Sequence, residues 1–290
     1  MNIFEILFVQ PITNLLVAFY QLLALLHVPY SLGFSIIALT IFIRVLLSPF
    51  VSAQIKAASK MQKLAPHMAV VKEKHKNDKK KQQEELLRLY KEHGVNPASG
   101  CLPILIQIPV VWSLYGVLNN IVAVNSVAAL SKVNSILYFP FLTIQHVWDT
   151  SFFGLSLSLT PAKLMPSNPF IIMVPILTGV LQLVFSAMMM PHEEKKNLPA
   201  RGSEHSGSKT GGQGEKKESK DDFQKAFQTQ SLFIFPIMIG FFSHTFPVGL
   251  SLYWNTFTVF GILQQYFLVG PGRLAVVIQS FEKRLWKQKK

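Results

Sequence analysis

A single arginine interrupts an apolar stretch of the sequence that is long enough to cross a lipid bilayer. Arg44 lies within residues 31–51, in the run ALTIFIRVLLSPF. A charge near the centre of a membrane helix costs roughly 2.5–3.5 kcal/mol on insertion scales, so intramembrane charges usually serve a function. The alternative is an arginine that only snorkels to nearby headgroups. Arg44 is therefore the first candidate for a functional residue.

Other polar side chains recur at helical spacing in the apolar segments. Thr40, Arg44 and Ser48 lie four residues apart and therefore share one helix face. Three further segments carry similar stripes: Gln107, Tyr115 and Asn119; Thr178, Gln182 and Ser186; Trp254, Thr258 and Gln265. Each stripe alone is typical of packed membrane helices, which Ser, Thr and Gln often bridge. Together they predict a shared water-filled cavity, in which Arg44 would attract acidic groups of an entering molecule.

The composition indicates an all-α polytopic membrane protein. Half of the 290 residues are hydrophobic and only 15% are charged, against about 25% in a typical soluble domain. A soluble protein with buried core helices is the alternative, but five such helices fit a chain of this size poorly. Five stretches approach the length of about 20 residues that a transmembrane helix needs: 31–51, 102–124, 169–190, 230–246 and 248–269.

The N-terminal segment 1–30 is apolar but interrupted by polar residues. It lacks the basic region that begins a signal peptide, and Glu5, Pro11 and Asn14 break its apolar pattern. We therefore expect an amphipathic helix that lies in the membrane interface. A sixth membrane span remains the alternative.

The net charge of +13 is concentrated in three segments. Segment 52–101 holds 11 Lys and Arg residues, 191–229 holds 8 and 270–290 holds 6, whereas 125–168 holds 2. Basic connections remain in the cytosol. The three basic segments are therefore predicted to be cytosolic and 125–168 extracytoplasmic. Five spans with the N-terminus outside and the C-terminus in the cytosol satisfy every segment.

The first basic segment has the pattern of a helical hairpin. Met61, Leu64, Met68 and Val71 follow the 3-4-3 spacing of a coiled-coil contact, and a turn is expected near residues 76–79. Pro66 is expected to kink or interrupt the first helix. The lysines could form an ordinary solvated face or contact anionic lipid or RNA phosphate.

The other basic segments give weaker signals. Segment 191–229 has the composition of a flexible loop. The tail 270–290 fits either a simple topology signal or contact with ribosomes or lipid.

Motifs of catalysis and metal binding do not stand out in the sequence. No Ser/His/Asp or paired-carboxylate arrangement is evident, and His192 and Glu193 lack the second histidine of a zinc protease motif. The prediction is a protein that is not an enzyme and needs no cofactor or metal.

Three stretches of the sequence resemble the YidC/Oxa family of membrane protein insertases. They are IIALTIFIRVLLSPFVSAQIKAASKMQKLAPHM, LYKEHGVNPASGCLPILIQIPVVWSLYGVL and FPVGLSLYWNTF. The resemblance implies a bacterial plasma-membrane protein with a five-helix insertase core and a cytosolic antiparallel helical hairpin. It also implies a hydrophilic groove open to the cytosol and to lipid. By position, Arg44, Gln107, Gln182 and Trp254 match groove-facing places, and we add Thr40, Ser48 and Tyr115 from the stripes.

The family further implies that nascent membrane proteins are the substrates. The Sec translocon, the ribosome and anionic lipids are the expected partners of a chain that functions as a monomer. Two other functions use the same cavity: a small-solute transporter or channel, and a lipid scramblase-like protein or assembly scaffold.

Overall fold

The computed structural model of the chain describes residues 3–94, 102–117, 127–189, 234–272 and 274–275. The helices, in chain order, are α1 (Gln10–Leu25), α2 (Ser31–Lys74), α3 (Lys79–Glu92), α4 (Leu102–Val117), α5 (Val127–Asn134), α6 (Pro161–Leu164), α7 (Met173–Met188), α8 (Ile234–Thr245) and α9 (Val248–Leu268). Shorter elements are a π-helix (Glu5–Val9), 3-10 helices (Pro140–Leu142, Pro169–Ile172) and strands β1 (Ser151–Phe152) and β2 (Leu155–Ser156). Within these ranges the chain is mostly helical.

Three of the described helical segments are long and apolar enough to cross a membrane. By length and composition they are Glu5–Leu25, Ser31–Lys74 and Pro169–Met188. The apolar helices Ile108–Val117 and Ile234–Thr245 are shorter. The N-terminal segment, for which the sequence predicted an interfacial helix, thus also has the length of a span. The predicted spans 102–124 and 230–246 are described only in part, and the loop 191–229 and most of the tail 270–290 lie outside the described residues.

The first predicted span and the first hairpin helix form one continuous helix. α2 runs for 44 residues from Ser31 to Lys74 and includes Pro49 and Pro66. The interruption considered at Pro66 is therefore absent. A proline removes one backbone hydrogen bond, but the Lys, Gln, Met, Leu and Ala residues around it favour a helix. The fall in hydrophobicity after Val51 marks a change of surroundings and not the end of a helix.

The apolar core joins α1 and the first half of α2 to α4, to the region of α5 and its following connection, and to the start of α9. Leu16, Val17, Leu32 and Ile36 are fully buried there. Asn14 ties α1 to the connection after α5, since its Nδ2 donates to the Ile136 carbonyl at 3.0 Å and its Oδ1 accepts from the Tyr138 amide at 2.7 Å. Such buried polar anchoring fixes the rotation of α1 about its axis. Segment 1–30 is therefore integrated into the fold and not attached only by its end.

The connection between α5 and α7 packs a short hairpin on the start of α2. β1 and β2 pair antiparallel across Phe153 and Gly154, whose φ angles are 48° and 82°. Two consecutive residues of positive φ are the geometry of a type I′ turn. The Phe152 ring fills the space above Gly33, where a Cβ atom would lie 2.0 Å from the ring. A glycine is therefore required at this point of close approach.

α9 is the central helix of the second half of the chain. It packs against both α2 and α7. Its first amides, on Val248 and Gly249, donate to the carbonyls of Leu159 and Leu157, each at 2.9 Å. These bonds satisfy donors that a helix start leaves free. The connection before α7 therefore fixes the position at which α9 begins.

α2 and α3 pack side by side in opposite directions. Gln82 Nε2 donates to the Lys72 carbonyl at 2.9 Å near the turn, and Tyr90 Oη contacts Met68 Sδ at 3.6 Å further along. Asp78 caps α3, because its side chain accepts from the Lys81 amide at 3.1 Å. α3 has no buried residue, so this pair of helices is held by a narrow contact.

Candidate functional site

Arg44 lies at the contact between α2 and α9. Its side chain is only 4% exposed. Nη2 donates to the Phe257 carbonyl at 2.6 Å, and Cζ lies 3.4 Å from the centroid of the Phe257 ring. Nε is buried without a partner. Among the described residues Arg44 forms no ion pair, so a carbonyl dipole and an aromatic face stabilise its charge.

A glycine on α9 makes room for the guanidinium. A Cβ atom at Gly261 would lie 2.8 Å from Arg44 Nη2 and 3.2 Å from the Phe185 ring. Phe185 belongs to α7, so three helices meet at this point. The position of the charge therefore depends on the absence of a side chain at residue 261.

One helical turn after Gly261, the side-chain amide of Gln264 joins α9 to α2. Gln264 Nε2 lies 3.3 Å from Ser48 Oγ, 3.3 Å from the Ser48 carbonyl and 3.1 Å from Ser52 Oγ. The neighbouring Gln265 Nε2 lies 3.4 Å from the Met188 carbonyl at the end of α7. Adjacent amides of α9 thus bridge to the two helices that flank it.

Gln182 of α7 makes polar contacts with the side of α9 that packs against α7. Its Oε1 accepts from Trp254 Nε1 at 3.3 Å and lies 3.5 Å from Thr258 Oγ1. Thr258 has a single hydroxyl proton, and its 2.8 Å contact with the Trp254 carbonyl is the shorter one. The indole is therefore the main partner of Gln182, and one lone pair of Oε1 has only a weak contact.

A second polar cluster joins three helices nearer the start of α9. Ser243 Oγ of α8 lies 2.8 Å from Ser251 Oγ of α9 and 3.3 Å from Thr178 Oγ1 of α7. α7 and α8 approach closely there, since a Cβ atom at Gly240 would lie 3.4 Å from the Gly179 Cα. Small residues at a crossing of this kind allow tight packing of membrane helices.

The structure brings together most of the residues that the sequence pointed to. We define the Arg44 site as the polar and small residues along one side of α9 and their partners: Arg44, Ser48, Ser52, Gln182, Trp254, Phe257, Thr258, Gly261, Gln264 and Gln265. Trp254, Thr258, Gly261 and Gln265 are spaced 4-3-4 and therefore share a face of α9. The site thus extends over about three turns of that helix.

Two predicted residues stand apart from this arrangement. Thr40 is 1% exposed, and its hydroxyl donates to the Ile36 carbonyl of its own helix at 2.6 Å. Tyr115 is 41% exposed, and its ring lies 5.8 Å from that of Phe246. Gln107 belongs to α4, but its side chain lies outside what the structure describes.

Sequence reasoning missed Phe257, Gly261, Gln264 and Ser52. A carbonyl partner leaves no trace in the residue type, and Gly261 is one of 16 glycines. Only Gln264, a polar residue next to Gln265 in an apolar segment, carried a readable signal.

The Arg44 site contains polar atoms that are buried and unpaired. They are Arg44 Nε, Gln264 Oε1 and Gln265 Oε1, and both amide atoms of Gln54, further along α2, share this condition. Buried polar groups are paired in most proteins, by protein or by water. Their accumulation along α2 and α9 indicates a place where hydration or a polar ligand is favoured. Among the described residues, no group of three or more His, Cys, Asp or Glu side chains is placed to hold a metal ion.

The opposite face of α9 is mostly apolar, with Asn255 and Thr256 as its polar residues. A cleft of about 460 Å³ lies there. Its lining comes from α2, α7 and α9: Ile41, Leu177, Leu181, Asn255, Thr256, Val259, Phe260 and Leu263. Ile41 is 42% exposed, in contrast to Arg44 three residues later. α9 therefore separates a polar side from a side suited to lipid.

Comparison with known proteins places this geometry in a family. The family model described as 60Kd inner membrane protein matches residues 24–270. A membrane protein insertase YidC of Streptomyces avermitilis is 30% identical over 89% of this chain and 56% of its own length. One from Fusobacterium nucleatum is 29% identical over 83% of this chain and 88% of its own length. The chloroplastic ALBINO3-like protein 1 of Arabidopsis thaliana is 29% identical over 92% of this chain and 49% of its own length.

A solved structure shares the fold. It is a crystal structure of an active YidC insertase with the first transmembrane domain resolved, matched with a TM-score of 0.51 and 24% identity. The match covers 91% of this chain and 46% of that one. The chain thus spans about half the length of several relatives. The relatives and the apolar helices support a multi-pass protein of the inner membrane. Since the family model covers more than half of its residues, this chain belongs to the YidC/Oxa family of membrane insertases.

Proposed function

We propose that this protein is a non-enzymatic membrane protein insertase that receives hydrophobic segments of nascent membrane proteins at the Arg44 site. It then releases them into the bilayer, alone or with the Sec translocon. The observation that carries the proposal is the burial of Arg44 with no acidic partner among the described residues, beside polar atoms that lack hydrogen bonds within the same part of the chain. Such a site can offer a cation and several hydrogen-bond partners to a polar flank that must cross the membrane.

The proposed site is a hydrophilic groove that opens to the cytosol. The proposed groove contains Arg44, Ser48, Gln182 and Trp254 of the Arg44 site, and it extends beyond that site to Thr40, Gln107 and Tyr115. Five spans form the core, with the α2–α3 hairpin and the C-terminus in the cytosol and the N-terminus outside. The segment before α2 lies in the interface or forms a further span. The uneven placement of Lys and Arg supports this orientation.

The energetics of the Arg44 site favour exchange of partners. The guanidinium now has one carbonyl acceptor, although it carries five N–H donors. An acidic or carbonyl group on a substrate would pair with donors that Phe257 leaves unused. Because the charge already lies in the protein, its burial adds no new cost when the substrate arrives. The substrate binds transiently and then leaves.

Release into lipid needs no ATP in this mechanism. Apolar residues of the substrate gain about 25 cal/mol per Å² on leaving water. A hydrated site that reaches into the membrane shortens the hydrocarbon thickness of about 30 Å that the polar flank must cross. The membrane potential assists acidic flanks on their way outward.

Ribosomes and anionic lipids are the other proposed partners of the protein, which is proposed to function as a monomer.

Solvent access to the site tests the groove. Single cysteines at Arg44, Gln182 and Ile41, in a Cys101→Ser background, are exposed to a small membrane-impermeant thiol reagent from the cytosolic side. We expect labelling at the first two positions and much slower labelling at Ile41, which lines the apolar cleft. Equal, negligible labelling at all three would contradict the groove.

Reconstitution tests the activity itself. The purified protein in liposomes is given a membrane protein with one hydrophobic segment, and protease protection reports its insertion. The same liposomes are tested for passage of small solutes and for flipping of labelled lipid. Insertion without solute or lipid flux supports the proposal. Flux without insertion would favour a transporter or a scramblase.

A further inference from the structure

A cavity of about 220 Å³ lies between α2 and α3, away from the Arg44 site. It is lined by Lys60, Lys63, Leu64, His67 and His93, and we call it the Lys60 pocket. Leu64 forms its floor and is 4% exposed, whereas both lysines and both histidines are exposed. The histidine rings face each other from the two helices, with centroids 6.3 Å apart. The antiparallel packing of α2 and α3 thus collects four basic side chains around one concave surface.

None of the described residues that line the Lys60 pocket is acidic. Among the described residues, neither lysine forms an ion pair; the three described ion pairs of α2 and α3 lie elsewhere, on Lys76 and Arg88. Like charges three residues apart on a helix repel each other. His93 has one ring nitrogen, Nδ1, 3.0 Å from the Leu89 carbonyl, which holds the ring in place. An anion in the pocket would relieve the repulsion and gain two ammonium partners.

The pocket lies next to the end of α7, a helix that belongs to a segment long enough to cross a membrane. Gln62, between the two lysines in sequence, donates a hydrogen bond to the Met189 carbonyl. Met189 directly follows α7, and the apolar segment Pro169–Met188 has the length of one membrane crossing. Its 20 residues span about 30 Å, the thickness of the hydrocarbon layer. Lys60 and Lys63 therefore flank a contact with the end of α7, on the side of the membrane where α7 is proposed to leave the hydrocarbon.

We propose that the Lys60 pocket binds the phosphate-bearing headgroup of an anionic phospholipid in the leaflet on the hairpin side. The contact between the base of the hairpin and the end of α7 favours a headgroup over a polyanion that remains in solution. The two lysines would contact the phosphate, and Leu64 would contact the glycerol carbons. Binding would hold the base of the hairpin against the membrane. The inference rests on the proposed membrane placement of α7 but not on the mechanism at Arg44.

Binding of a short-chain lipid to the purified full chain tests the proposal. The protein, in neutral detergent, is titrated with dihexanoyl phosphatidylglycerol, and bound lipid is counted by native mass spectrometry. The variant Lys60→Gln/Lys63→Gln is compared with Lys79→Gln/Lys80→Gln, which removes the same charge from the start of α3. The control lysines lie about 21 Å from His93 along α3, beyond two Debye lengths of about 8 Å each.

We expect the pocket variant to weaken binding by about fivefold for each lysine removed, and the control variant by less than about twofold. Lys63→Arg keeps the charge and should keep most of the binding; it also serves if the double variant does not fold. Equal weakening in the pocket and control variants would overturn the proposal. Dihexanoyl phosphatidylcholine, inorganic phosphate and a single-stranded RNA oligonucleotide are titrated in parallel. Equal or tighter binding of any of these would overturn a site for anionic headgroups. Because insertion is not measured, the result is independent of the proposed function.

Discussion

A Cβ atom at Gly261 would lie 2.8 Å from Nη2 of Arg44, so the helix that supplies the carbonyl partner also leaves space for the charge. Gly261→Ala should push the guanidinium away from Phe257 and lower insertion of substrates with acidic flanks. Alanine is the better helix former by about 1 kcal/mol, so helix propensity alone would stabilise the protein. Insertion and thermal unfolding are measured together. In an Arg44→Ala background, Gly261→Ala should cause no further loss of insertion. If it lowers insertion there as much as in the wild-type background, Gly261 does not act through Arg44.

Arg44 itself should be sensitive to charge more than to shape. Arg44→Ala should impair insertion of substrates with acidic translocated segments and affect neutral ones less. Arg44→Lys should retain much of the activity, because a point charge suffices for transient attraction although the planar fork is lost. The measurement is protease protection of matched substrates that differ only in flank charge. If the arginine only snorkels or orients α2, both variants will insert all substrates normally.

The contact between Gly33 and Phe152 should matter for stability. Gly33→Ala places a Cβ atom where the Phe152 ring now lies, and overpacking of this kind costs about 1–3 kcal/mol. The midpoint of thermal unfolding should therefore fall. Phe152→Ala in the same chain makes room for the new methyl group, so the double variant should be less damaged than the sum of the single changes. Additive losses would show that the two residues do not compete for space.

The α3 helix should open more readily than α9. It has no buried residue, whereas Tyr253 and Thr258 of α9 are 1% exposed. Amide hydrogen exchange of the purified protein should therefore be much faster over residues 82–86 than over 253–258. Similar protection in both segments would mean that α3 is held by more than its contact with α2.

The orientation of the chain can be read from two single cysteines. Asn77→Cys at the α2–α3 turn and Ser131→Cys in α5, each in a Cys101→Ser background, should react with an impermeant reagent from opposite sides. The distribution of Lys and Arg predicts a cytosolic location for Asn77. Labelling of both positions from one side would refute the five-span topology.

Much of the Arg44 site could be predicted from the sequence, because polar residues are easy to recognise in the apolar sequence of a membrane helix. An arginine in an apolar segment and Gln182 in another are rare enough to be selected by type alone. The partners that complete the site were not, because Phe257 acts through its backbone and Gly261 through the absence of a side chain. Spacing within a helix identifies a shared face, but it does not reveal which distant residue meets that face.

Helix boundaries were harder to predict than the existence of helices. Hydrophobicity falls after Val51, yet α2 continues to Lys74, because helix propensity and hydrophobicity are separate properties of a residue.

The location of the N-terminal segment was also hard to predict from the sequence. Glu5, Pro11 and Asn14 favoured a helix in the membrane interface, but Asn14 is buried against the connection after α5. A polar residue with a tertiary partner looks the same in sequence as one that faces water.

The hydrogen bond between Arg44 and the Phe257 carbonyl joins residues that are 213 positions apart. At a synthesis rate of about 5–20 residues per second, the carbonyl is made roughly 10–40 s after the arginine. During this interval α2 carries a cation that has not yet met its final acceptor. Until the carbonyl is made, the arginine of the maturing chain needs another partner, such as water, lipid phosphate or a chaperone. The insertion of this chain thus meets a general problem of membrane proteins: a polar residue enters the membrane before its final partner has been made.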